Sequence, residues 1–219
     1  MTLSELLAQP GVHEHVEIRG RFGFLAFHGG PVERVTSLIA RDAAKLSGAS
    51  FYSIEQPEHR PLHIPSTRFR TQESKHLASV IDHVEVVCTV HGYGREIEKQ
   101  HLLLGGQNRE LAAHLGGHLQ MRLPTHFRVV TELDSIPKEL RGVHHRNPVN
   151  LPRQQGVQLE LPPGVRWNHE ARDWADADGL EHTNEVTAVI DALAETARDW
   201  MAQTVMSTDG SYLGSTSPG

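Results

Sequence analysis

Two apolar runs constrain the fold of this chain more than any other feature. Residues 22–27 read Phe-Gly-Phe-Leu-Ala-Phe and residues 84–90 read Val-Glu-Val-Val-Cys-Thr-Val. Both are rich in aromatic or β-branched residues, and they read as buried strands, the setting of a sheet covered on both faces. Helical patterns alternate with them. Gly30 can cap a helix that Pro31 opens, with Val35, Leu38, Ile39 and Leu46 on one stripe and a stop near Ser47-Gly48. Strands are predicted at 16–18, 50–55, 127–131 and 156–161, and an extended segment broken by Pro65 at 63–69. Helices are predicted over 72–83 and 108–119, and an amphipathic one over 184–201 carries Val186, Val189, Ile190, Leu193, Ala197 and Trp200 on one face. Residues 133–152 are loop-rich. This alternation predicts a single-domain α/β fold, a three-layer α/β/α sandwich around a mixed sheet over 1–203, with 204–219 as a disordered tail.

At 219 residues the chain is long enough to bury a core without disulfides, and its single cysteine excludes an internal one. Cys88 is expected to be inert packing. A net charge of −6 argues against general nucleic-acid binding. No apolar run approaches the ~20 residues that span a membrane. The first residues lack the marks of a signal peptide, so a cytoplasmic location is the expectation; the sequence leaves the oligomeric state open, with a monomer favoured. The unusual feature of the composition is its 16 histidines. A catalytic zinc takes only three protein ligands, so context must choose among them.

His28 ends one apolar run and opens His-Gly-Gly-Pro-Val-Glu, with Glu33 expected as the third residue of the helix. Alone, Glu33 reads equally as a capping carboxylate at a helix start. His91 repeats the context, ending the second run before Gly92-Tyr93-Gly94. If the two strands are neighbours, His28, Glu33 and His91 make the two-histidine, one-carboxylate set of a catalytic zinc site with a position left for water. Such a water needs a base. Glu160 is the candidate, because alternation in Gly156-Val-Gln-Leu-Glu-Leu161 puts Val157, Leu159 and Leu161 on one face and Gln158 and Glu160 on the other. A half-exposed strand with a solvated glutamate is the alternative. Arg95 and Arg153 are candidate grips for a substrate carboxylate or an oxyanion, and His63 could line the cleft. Gly105-Gly106 lacks the Lys-Ser/Thr of a phosphate loop, the His144-His145 pair carries little weight as a native metal site, and the Trp174-Ala-Asp-Ala-Asp run reads as a solvated acidic loop.

In order, these segments resemble the poly-γ-glutamate hydrolase family of bacteriophages and bacteria. The matching pieces are His28-Gly-Gly-Pro-Val-Glu33 with Thr36, Ser50-Phe-Tyr-Ser53, Leu62-His-Ile-Pro-Ser-Thr67, Val90-His-Gly-Tyr93, Leu104-Gly-Gly106, Asn150 with Arg153, and the Glu160 strand. The resemblance implies a fold similar to zinc carboxypeptidases, one Zn2+ on His28, Glu33 and His91, and Glu160 as general base and acid. It also implies hydrolysis of γ-glutamyl amide bonds, with Arg95 beside the reaction and Arg153, Asn150, His63 and Tyr93 at the substrate. Pro31 and Arg34-Val35 depart from the family's more glycine-rich approach to the helix. A polyanionic substrate would need a basic cleft, which Arg68, Arg70, Arg95, Lys99, Arg146 and Arg153 could supply. The same residues also fit an amidase acting on other peptides, such as cell-wall stems. They fit, too, a non-catalytic binding protein whose metal shell His63 closes.

Overall fold

The computed structural model describes residues 1–59, 61–94 and 99–209, with side chains as far as 204. In chain order the elements are α1 (Leu3–Leu7), β1 (His13–Glu17), β2 (Phe22–Gly29), α2 (Thr36–Ser47), β3 (Ser50–Glu55), α3 (Lys75–His83), β4 (Val86–Gly92), β5 (His101–Leu104), α4 (Arg109–Arg122), β6 (Arg128–Val130), β7 (Gly156–Leu161), α5 (Pro163–Arg166), β8 (Trp167–Asn168), β9 (Asp173–Trp174) and α6 (Asn184–Asp209). Seven strands form one mixed sheet in the order β1-β3-β2-β4-β7-β5-β6. β3, β2, β4 and β7 run parallel, whereas β1 is antiparallel to β3 and β5 antiparallel to β7. This is the α/β architecture expected.

Both faces of the sheet are covered, which is why its central strands lack a polar alternation. On one face Phe24, Cys88 and Leu159 pack against Ile39 of α2, Leu115 of α4 and Leu193 of α6. On the other, Leu25, Phe27 and Tyr52 meet Leu3 and Leu6 of α1 and Leu77 and Val80 of α3. Cys88 lies in the first layer, where burial pushes its thiol pKa up, as suits packing rather than chemistry. From β2 the chain crosses through α2 to β3 on one side, and then through α3 to β4 on the other. The crevice beyond the ends of β2 and β4 is therefore a topological switch point, where such sheets bind ligands.

Three local features differ from expectation. The β2–β3 register slips between Ala26 and Gly29, a bulge that inserts one residue into β2. The helix after His28 begins at Thr36, not Pro31, so Glu33 sits in a turn, where its N–H donates to the His28 carbonyl (2.8 Å). Finally, α6 continues to Asp209, so 204–209 are helical and not tail, while 210–219 lie outside the described residues. Among the described residues no helix is long and apolar enough to cross a membrane.

Candidate metal centre and cleft

The bulge in β2 decides where His28 points. In an uninterrupted strand His28 would share a face with Phe24 and Ala26, which pack against α2, while His91 follows Val87 and Thr89 onto the opposite face. The extra residue leaves Phe27 on the His91 side and brings His28 to that side as well. Ring centroids are 5.1 Å apart for His28 and His91 and 6.2 Å for Phe27 and His91.

Glu33 lies between the two histidines. His28 Nδ1 is 2.8 Å from its Oε1, and His91 Nδ1 is 3.2 Å from its Oε2, which also accepts from the Gly92 N–H (3.0 Å). All three side chains are buried. His28 Nε2 is 2.8 Å from the Ile64 carbonyl. A carbonyl only accepts, so Nε2 carries the proton and Nδ1 of a neutral ring aims its lone pair at a carboxylate oxygen. Two lone pairs at that distance require a cation between them, either a proton or a metal. One atom from each of His28, Glu33 and His91 falls within 4.8 Å of the others, a two-nitrogen, one-oxygen set that suits zinc. The Ile64 anchor on the far nitrogen of His28 is the outer support that ligand histidines receive. Burial opposes charge on Glu33, but the two imidazoles outweigh it and hold the carboxyl far below its ordinary pKa. Burial likewise opposes charge on His91, and Glu33, with Glu160 behind it, raises its pKa.

Glu160 pairs in register with His91 across β4 and β7 and is only 3% exposed. Burial, more than the negative charge of Glu33, pushes its pKa up to about 7, against the pull of His91. Gln158 Nε2 donates to Glu160 Oε1 (2.8 Å), and Gln158 Oε1 accepts from Asn147 Nδ2 (2.8 Å). This chain fixes one carboxylate oxygen and leaves Oε2 for other work. These residues form the floor of a cleft of about 700 Å³, walled by His63 and residues 65–67 on one side and by residues 138–144 on the other. Gly142 stands at φ +63, and a Cβ there would lie 2.6 Å from Gln158 Oε1. Gly142→Ala is therefore expected to displace Gln158, destabilise the protein by about 1–3 kcal/mol and lower activity. Urea denaturation showing unchanged stability would mean the loop simply relaxes.

Other candidates fall elsewhere. His63 lines the cleft and packs against His28 (centroids 4.6 Å), but its ring nitrogens are not among the converging ligand atoms. Tyr93 turns into a cluster with Leu103, Val130 and Ile136, and its hydroxyl donates to the His101 carbonyl, so it is not at the cleft. Asn150 is buried under the cleft wall, donating to the carbonyls of Gly142 and His144, and so positions that loop. Arg153 pairs with Glu85, just before β4 begins, and thus lies at the opposite end of the sheet from His91. Arg95 lies outside the described residues. Among the described residues, the lysine and arginine side chains that line the cleft are Lys138 and Arg141, not Arg68, Arg70, Lys99, Arg146 or Arg153. His144 lines it as well, stacked on His145.

Two unanticipated residues brace the Glu33 turn. Val35 has φ 76, a strained setting for a β-branched residue. Asp176 holds it, accepting from the Val35 N–H (2.7 Å) and from Arg34 Nε (2.9 Å). Arg166, 4% exposed, donates to the carbonyls of Arg34 (3.2 Å) and Tyr93 (2.7 Å) and lies 5.1 Å from the Trp174 ring. A Cβ on Gly92 would fall 2.6 Å from its guanidinium carbon, so glycine at that strand end lets the arginine approach. The segment read as a solvated acidic loop is thus a clamp. An arginine placed six residues after Glu160 was the available signal for one half of it.

The sequence matches the family described as poly-gamma-glutamate hydrolase over residues 3–192. The chain belongs to that hydrolase family. It is 32% identical over 146 residues to YoqZ, an SPbeta prophage-derived UPF0714 protein of Bacillus subtilis (strain 168), covering 66% of this chain and 49% of YoqZ. It is 33% identical over 144 residues to the UPF0714 protein YndL of the same strain, covering 65% of this chain and 53% of YndL. The chain thus spans about half the length of the curated relatives it matches. Among solved structures, a bacteriophage poly-gamma-glutamate hydrolase superposes with TM-score 0.71 at 21% identity, covering 88% of this chain and 91% of that one. The zinc-free apo form of YndL superposes with TM-score 0.73 at 22% identity, covering 90% and 94%. These likenesses show that this family member shares their fold.

Proposed function

We propose that this chain is a zinc-dependent hydrolase of γ-linked glutamyl amide bonds, acting on poly-γ-glutamate or a similar polymer. The observation that carries the reading is a buried carboxyl, Glu160, poised near neutral pH beside a convergent pair of histidines and a carboxylate on the floor of an open cleft. His28, Glu33 and His91 would hold one zinc ion. When bound, the ion supplies Lewis acidity, lowering the pKa of its water and polarising the scissile carbonyl. Glu160 takes the proton of the attacking water at Oε2, while Gln158 keeps Oε1 in place. It then delivers that proton to the departing amine, and a pKa near the working pH suits it to both transfers. The family and the phage hydrolase likeness support the γ-glutamyl substrate. Lys138, exposed on the cleft wall without an ion-pair partner among the described residues, offers a cation to the substrate's carboxylates although the chain is net acidic.

Size analysis of poly-γ-glutamate incubated with the purified protein tests this. Shortening should occur, stop after chelation and return with zinc. Cleavage of α-linked polyglutamate alone would sink the substrate assignment. Activity unchanged in protein shown by metal analysis to be zinc-free would sink the metal.

A further inference from the structure

We propose that His114, His118 and Asp199 form a second divalent-metal site, for zinc or a similar transition ion, that clamps α6 to α4. His114 and His118 stand one turn apart on α4, as do Glu195 and Asp199 on the facing side of α6. His118 Nε2 lies 3.3 Å and His114 Nε2 3.9 Å from the same oxygen, Asp199 Oδ2. The two rings meet edge-on with centroids 4.9 Å apart. Neither contact is a hydrogen bond: His114 Nε2 is buried with no hydrogen-bond partner. Asp199 has no lysine or arginine partner among the described residues.

Glu195 completes the pattern differently. It stands 3.6 Å from Nδ1 of His118 and pairs with Arg122, whose Nη1 donates to that nitrogen (3.4 Å), so an ion on Nε2 requires the ring proton to move to Nδ1 and that nitrogen to turn from Arg122 to Glu195. A carboxylate on the far nitrogen is how ligand imidazoles are oriented. Zinc–nitrogen bonds of about 2.0–2.1 Å in a tetrahedron put ligand atoms roughly 3.3 Å apart. The His118–Asp199 spacing already matches, and His114 must close from 3.9 Å, by somewhat more than half an ångström. Asp199 and His114 are only partly buried, so the remaining positions can be filled by water. Such an ion would tie the last helix to the sheet-packed α4, away from the strand ends where the cleft lies.

The inference does not rest on the hydrolase reading, and equilibrium dialysis against zinc of protein first stripped with chelator tests it separately. Wild type should bind two ions, Asp199→Asn one, His91→Ala one and the double variant none. Circular dichroism of each metal-free variant checks the fold. Zinc at a hundredfold excess over its dissociation constant should raise the melting temperature of His91→Ala by roughly 5–10 °C, and should not raise that of the double variant. His114→Gln should behave as Asp199→Asn, with hydrolysis retained. Equal zinc content in wild type and Asp199→Asn, or none in folded His91→Ala, would overturn the second site. One ion in Asp199→Asn that persists when His91 is also removed would overturn both assignments.

Discussion

Glu160→Gln is expected to lower turnover on poly-γ-glutamate by about 10²–10⁴-fold while zinc content stays at the wild-type level. The substitution is isosteric, Gln158 can still donate to the side-chain oxygen, and no proposed ligand is touched. What disappears is the group proposed to accept and return the proton. The same variant has a second readout in the metal-free protein. The Glu160 carboxyl has a folded pKa of about 7 against 4.5 unfolded, so the folded chain holds this proton longer. Its contribution is therefore greatest below pH 4.5 and is lost as pH rises through 7, by at most about 1.4 kcal/mol per pH unit. Glutamine does not titrate. The stability of metal-free Glu160→Gln relative to wild type should rise between pH 5 and pH 8, measured by urea denaturation. A variant with wild-type turnover would remove Glu160 from the mechanism.

Much of this centre could be read from strand ends. His28, His91 and Glu160 each close or nearly close an apolar run, and parallel neighbours bring such ends together whatever the detail of packing. Period-two alternation correctly separated Glu160 from Val157, Leu159 and Leu161. The same alternation misplaces His28, because a bulge leaves no signature in residue type when it falls beside an already plausible glycine turn. The start of α2 departs from local propensity for a related reason. Pro31 suits a first helical turn, but Asp176, about 140 positions later, stabilises a left-handed Val35 that local propensity forbids. Arg153 shows the converse: an arginine shortly before the Glu160 strand lies at that strand's start, a strand's length from the candidate centre, whereas Arg166, just past its end, lies beside it.

Arg166→Ala should cost about 3–5 kcal/mol of stability, the usual penalty for removing one member of a buried charge cluster. For a chain of this size that is a fall of roughly 6–20 °C in melting temperature. Burial lowers the pKa of this guanidinium, while Glu33, Glu160 and Asp176 act to keep it charged, so three carboxylates lose their shared cation together. Two carbonyls, of Arg34 and Tyr93, also lose their donors, and these flank the Glu33 turn and the Gly92 strand end. Lysine should not rescue the loss, because a single ammonium cannot reproduce a planar fork reaching two carbonyls while lying against Trp174. The effect on zinc decides which role dominates. Loss of a nearby positive charge alone would tighten metal binding, whereas a loosened Glu33 turn should weaken it by about 10–100-fold. The turn is expected to win, since Val35 holds a strained conformation next to the Arg34 carbonyl that Arg166 secures. A zinc titration of Arg166→Ala, folded below its lowered melting point, that showed tighter binding would reduce Arg166 to a counter-charge.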